Sequence, residues 1–240
     1  MIVPAHRYNV FHALAAITIL IAAVSRNFWH NFIYGGFVEP PPVNTLLVAI
    51  GSQLALMGTL LLVIWGSTLF GRTKAEDDAR ENTPARLAAA QYAAKLFIPI
   101  CLMAFGLEFA SAQIMEKVFE LPVHGQDLVV WLKPGTYPLS IRLLLVVIAA
   151  VEAPLMEEAL FRGVIFRGLG TIMPLWAALV LSGLVFGIIH VNAATLVPLW
   201  FLGAAFAWLY WRTKSIFAPI TAHLLFNLIN LVLVFSGVAS

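Results

Sequence analysis

Seven stretches of this chain are long and apolar enough to cross a bilayer, and that leaves few folds open to it. A helix needs about 20 apolar residues to span the hydrocarbon core. By that yardstick the spans fall at 9–25, 44–70, 93–115, 139–169, 174–191, 195–211 and 216–236. Lipid offers a backbone no hydrogen-bonding partner, so spanning segments are helices or closed barrels, and runs of this length suit helices. Only 11% of the 240 residues are charged, against about a quarter in soluble domains. The expectation is an all-α, polytopic transmembrane helical bundle of about seven spans.

The links between the runs are read from their breakers and charges. His6-Arg7 ahead of the apolar run Ala13–Val24 has the look of a signal peptide. More spans follow and no small-x-small cleavage site precedes polar sequence, so it is read as an uncleaved first span. Pro40-Pro41-Pro42 marks the first loop. The polar segment Gly71–Lys95 reads as a solvated loop with one interfacial helix turn, starting at Asn82-Thr83-Pro84. Glu116–Tyr137, with Pro122, Gly125, Pro134 and Gly135, reads as irregular. Lys and Arg favour the cytoplasmic side. With the N-terminus inside, ten fall on inner segments and four on outer ones, which places the C-terminus outside. A net charge of +2 gives no reason to expect nucleic acid as a partner. The single cysteine, Cys101, is expected to pack as a small core hydrophobe.

The fourth run contains what a lipid-facing helix excludes: Glu157, Glu158 and Arg162. Ionisable side chains at that depth are costly and mark functional sites by default. Glu158 and Arg162 are i, i+4 neighbours in the favourable order for an ion pair. Glu157 lies about 100° round the helix and points elsewhere. Glu152, five residues earlier, reads as a structural or lumen-facing carboxylate. The fifth run ends at His190, with Phe186 one turn before it, and Ser182, Gly183 and Gly187 let neighbouring helices approach closely. In the seventh run Ser215, Pro219, His223 and Asn227 recur every fourth residue. That polar stripe needs a bundle interior or a cavity.

Depth tests whether these residues can meet. With spans four and five folded about Gly170–Met173, Glu157 lies about 14 residues before the turn and His190 about 18 after it, an offset of about 6 Å at 1.5 Å per residue. His223 and Asn227 start from the same face at Lys214 and reach a similar depth. Three helices can bring two Glu, two His and an Asn to one level.

These residues resemble the CPBP intramembrane protease family, which unites the type II CAAX prenyl endopeptidases with bacteriocin-processing and immunity membrane proteins, also called the ABI family. The motifs are Glu-Glu-x-x-x-Arg at Glu157, Glu158 and Arg162, Phe-x-x-x-His at Phe186 and His190, and His-x-x-x-Asn at His223 and Asn227. The resemblance covers about 139–236. It implies one integrated membrane domain, with 1–138 supplying N-terminal spans and loops and 139–240 a catalytic helical core. It implies hydrolysis of a peptide bond without a covalent intermediate, in a membrane-associated peptide or protein within the lipid bilayer. Glu157 with His190 would activate a water, His223 and Asn227 would stabilise the oxyanion, and Glu158 with Arg162 would support the base. The family is often labelled metalloprotease, and His190, His223 and Glu157 could make a three-ligand zinc site with an open position. No organic cofactor is expected. The implied location is a bacterial cytoplasmic membrane.

Other mechanisms fit less well. A serine protease of rhomboid type has only Ser182-Gly183 to offer, without a Gly-x-Ser-x-Gly-like frame. An aspartyl protease needs two membrane aspartates, and Asp77, Asp78 and Asp127 all lie between spans. An inactive scaffold, an immunity protein or a transporter keeping the cluster as a polar network is the alternative outside enzymology.

Overall fold

The computed structural model describes residues 40–52, 54, 55, 58, 83–121, 123 and 127–237. The first span and most of the second lie outside these residues. Within them the chain is a helical membrane bundle: α1 (Val43–Ser52), α2 (Thr83–Lys117), α3 (Asp127–Leu132), α4 (Leu139–Leu169), α5 (Leu175–Ile189), α6 (Ala193–Thr213) and α7 (Phe217–Phe235). Helices α2, α4, α6 and α7 are long and apolar enough to cross a bilayer, and α5 is a shorter apolar helix.

Helix α2 begins earlier than its charges suggest. Residues 83–95, expected as mostly loop, continue the helix without a break. Pro84 stands at the start, where its missing N–H costs nothing, and the following turns are rich in alanine, the best helix former. Ala89 and Ala93 are buried, and Tyr92 packs its ring 6.4 Å from that of Trp208 on α6. Packing against the bundle, rather than local charge, decides this segment. The linker after α2, expected to be irregular, holds the short helix α3, whose Leu132 is buried with Tyr137 and Leu145.

Helix α4 is not uniform. Two π-helical segments, Ile148–Glu152 and Phe161–Phe166, flank the α-helical turns Ala153–Leu160. Such insertions are rare and often sit at functional sites. The first shifts the backbone register, with the Ala153 N–H reaching the Ile148 carbonyl. In that register Pro154, which has no N–H, leaves the Ala149 carbonyl open.

Helices α5 and α6 form the tightest pair. Asn192 caps α6 by accepting from the N–H groups of Ala194 and Thr195 at 3.0 and 3.3 Å. The connection is so short that Val191 takes φ +52°, a conformation β-branched residues avoid. Glycines let the backbones touch. A Cβ on Gly203 would lie 2.8 Å from Phe186 Cβ and 2.9 Å from Gly183 Cα, and one on Gly183 would lie 2.6 Å from the Trp200 carbonyl. Gly203→Ala is therefore expected to destabilise the fold by about 1–3 kcal/mol through overpacking. The check is a lowered thermal unfolding midpoint of the detergent-solubilised protein.

Candidate active site

Arg162 is the largest wholly buried side chain among the described residues, and its surroundings explain how a cation survives there. Its Nη1 lies 2.9 Å from Glu158 Oε1, with neither side chain exposed. Its Nη2 donates to the Gly203 carbonyl at 2.9 Å. The guanidinium also lies 5.2 Å from the ring centre of Phe186 and 5.3 Å from that of Phe206. Cation–π attraction of this kind adds about 0.5–2 kcal/mol per contact when desolvated. Gly203 serves twice, bringing α5 close and turning a carbonyl toward Arg162.

Glu158 passes this fixation on. The same Oε1 accepts from His223 Nδ1 at 2.8 Å, so Nδ1 carries the hydrogen and Nε2 is left on the far side of the ring. That Nε2 stands 3.9 Å from Glu157 Oε2. Rings hold the imidazole in place, with Phe206 stacked at 5.0 Å and Phe186 edge-on at 5.8 Å. Arg162, Glu158, His223 and Glu157 thus run in series from α4 to α7 and back. Glu157 Oε2 makes no hydrogen bond with the described residues.

The other two motif residues anchor to backbone. His190 Nδ1 pairs with the Phe186 carbonyl at 2.7 Å, and the two rings lie 4.9 Å apart. Asn227 Nδ2 donates to the Ala149 carbonyl at 2.8 Å, the group left open by Pro154 and the π register. One side chain thereby ties α7 to the distorted turn of α4.

Glu157, His190, His223 and Asn227 line one cavity of about 340 Å³, together with Phe186, Thr195, Phe206, Glu108 and Asn230. Glu158 and Arg162 lie behind its wall. Of the residues singled out in the sequence, Glu157, His190, His223 and Asn227 share this cavity, and it is His223, rather than the expected His190, that stands beside Glu157. Glu108 was missed. It is the one charged residue of the run 96–115, and its signal was the same intramembrane charge that singled out Glu157. Ser182 is buried in α5 and does not line the cavity, which leaves the serine mechanism without a nucleophile there. Cys101 is buried, as its apolar setting suggested.

The zinc expected of His190, His223 and Glu157 can be tested against this arrangement. Among the described residues no group of three His, Cys, Asp or Glu side chains is placed to hold a metal ion. As they stand, the three side chains are not gathered as a three-ligand metal site among the described residues.

Comparison with known proteins follows the same stretch. Residues 139–229 match the family described as Rce1-like type II CAAX prenyl endopeptidases. The match covers less than half of the chain but includes all three motifs, and it supports the CPBP resemblance read from them. A Bacillus subtilis (strain 168) protein named "Putative membrane peptidase YdiL" is 34% identical over 84 residues, which is 35% of this chain and 34% of that protein. The matched stretch thus spans about a third of the relative's length. No solved structure matches the chain.

Proposed function

We propose that the cavity is the active site of an intramembrane endopeptidase that hydrolyses a peptide bond with a water activated by Glu157. One observation carries this reading. Of the two adjacent glutamates, Glu158 is held through Oε1 between Arg162 and His223 behind the cavity wall, while Glu157 lines the cavity with Oε2 3.9 Å from the His223 imidazole. A fixed carboxylate beside a free one is the division that general-base catalysis needs.

The reaction follows from those positions. Glu157 takes a proton from water as the water oxygen bonds to the scissile carbonyl carbon. The same proton then passes to the leaving amine nitrogen as the C–N bond breaks. His223, oriented through Nδ1 by Glu158, shares the developing charge beside Glu157, much as a carboxylate orients a catalytic histidine elsewhere. The geometry favours this histidine over His190 as the partner of Glu157. Asn227 lines the same space, and the second hydrogen of its Nδ2 would meet the carbonyl oxygen, where donors prearranged in a water-poor site act most strongly. His190, whose Nδ1 donates to the Phe186 carbonyl, would join it as a donor only when protonated at Nε2.

The similarity to prenyl endopeptidases and to a membrane peptidase supports a membrane-associated peptide or protein as substrate. We place its N-terminus inside on the distribution of Lys and Arg, and the similarity to a Bacillus subtilis protein supports a bacterial cytoplasmic membrane.

Comparative peptidomics of membranes carrying the wild type or Glu157→Ala tests the reading. Peptides that appear only with the wild type are the expected result. Identical peptide profiles would favour a scaffold or transporter that keeps the cluster as a polar network. Cleavage is also expected to continue in 1,10-phenanthroline. Loss of cleavage that added zinc restores would overturn the metal-free step.

A further inference from the structure

The cavity has a second carboxylate that none of the motifs includes. Glu108 lies on α2, which packs against α6 and α7, and it is exposed on the cavity wall. At hydrocarbon depth such a side chain is tolerated where it faces a cavity or a partner. Phe105, three residues earlier, stacks on Phe226 of α7 with ring centres 5.6 Å apart. That contact fixes Glu108 against the part of α7 that carries Asn227 and Asn230.

The fixed charge on this wall is of one sign, with Glu108 and Glu157 both lining the cavity. Asn230 Nδ2 donates to the Phe226 carbonyl at 3.0 Å, and Asn227 Nδ2 to the Ala149 carbonyl at 2.8 Å. A carbonyl only accepts, so the nitrogen of each amide must face it, and Oδ1 keeps its free acceptor capacity. The cavity is therefore lined by two carboxylates and by two amides whose oxygens keep acceptor capacity. No Lys or Arg is among the described residues that line it. A space so rich in acceptors and negative charge complements a cationic group rich in N–H donors.

We propose that Glu108, with Asn230, forms a subsite for a Lys or Arg side chain of the substrate peptide and so selects which bonds are cut. This rests on the protease reading above. It goes beyond the family comparison, because neither Glu108 nor Asn230 falls within the matched residues 139–229. The substrate's cation would supply the partner that the Glu108 carboxylate lacks among the described residues. The apolar lining from Leu128, Val129 and Leu231 would hold the methylene stem.

The test uses the purified full chain in detergent and a mixture of synthetic peptides that together present every pair of residues, with cut sites read by mass spectrometry. The wild type is expected to enrich Lys and Arg at one fixed position near the cut. Glu108→Gln should lower the ratio of cationic to neutral cleavage by about tenfold or more, the scale of one charge-assisted hydrogen bond. Glu108→Lys should turn the preference toward Asp and Glu. An unchanged preference in Glu108→Gln, or an equal fall for every peptide, overturns the subsite. A binding arm separates this from the underlying reading. In the Glu157→Gln background, a fluorescent lysine-containing peptide should bind about tenfold more tightly than its norleucine counterpart, and Glu108→Gln should remove the difference. If the wild type cuts nothing while this binding preference holds, the protease reading fails and the subsite stands. If the two peptides bind alike, the subsite fails.

Discussion

Glu157→Gln is expected to lower peptide cleavage by about 100- to 10,000-fold, the usual contribution of a positioned general base, while the protein folds as before. Glutamine keeps the shape of glutamate but cannot take a proton. The fold has little reason to respond, since Glu157 Oε2 makes no hydrogen bond with the described residues. Glu158→Gln should behave differently. It removes the charge that Arg162 and His223 share, so both activity and stability should fall. Initial rates together with unfolding midpoints for the two variants distinguish the roles. Unchanged rates in Glu157→Gln would remove the base assignment.

The largest stability effect is expected at Arg162. Arg162→Ala strands Glu158 in a site with no exposure, and breaking a buried pair from one side costs about 3–5 kcal/mol. The loss should appear as poor yield of folded protein and a markedly lower unfolding temperature in detergent. Arg162→Lys should fall between the two, because an ammonium cannot span Glu158 and the Gly203 carbonyl with a planar fork or lie flat against Phe186 and Phe206. The double variant Glu158→Met, Arg162→Leu should be more stable than Arg162→Ala, since it leaves no unpaired charge. An unfolding temperature for Arg162→Ala equal to that of the wild type would show that the pair does not hold the fold together.

Much of this arrangement was legible in the sequence because membrane depth is nearly one-dimensional. Counting residues from a turn fixes height, and so Glu157, Glu158, His190, His223 and Asn227 could be placed at one level. The extent of α4 was legible for the same reason, bounded by Pro138 and Gly170. Rotation about each helix axis was not. Which histidine meets which glutamate depends on how α5 and α7 are turned toward α4, and a linear pattern does not carry that rotation. Charge also misled at one end and was underused at the other. The polar run before Lys95 suggested a loop, although its alanines pack as helix. Glu108 carried the same signal as Glu157 but had no partner at i+4 to draw attention to it.

The π-helical segments of α4 decide where this protein can change length. Each carries one more residue than an α-helical turn requires. Losing a residue from Ile148–Glu152 would let the helix relax to α register and leave Glu157 and Glu158 where they stand. The cost would fall on the preceding turns, which would swing by about 100° about the axis. The exposed stripe of Leu143, Leu144 and Val147 would turn with them, and the Ala149 carbonyl would leave Asn227. The two joints therefore act as the tolerances of the span: they absorb a change in residue count while the carboxylates keep their bearing.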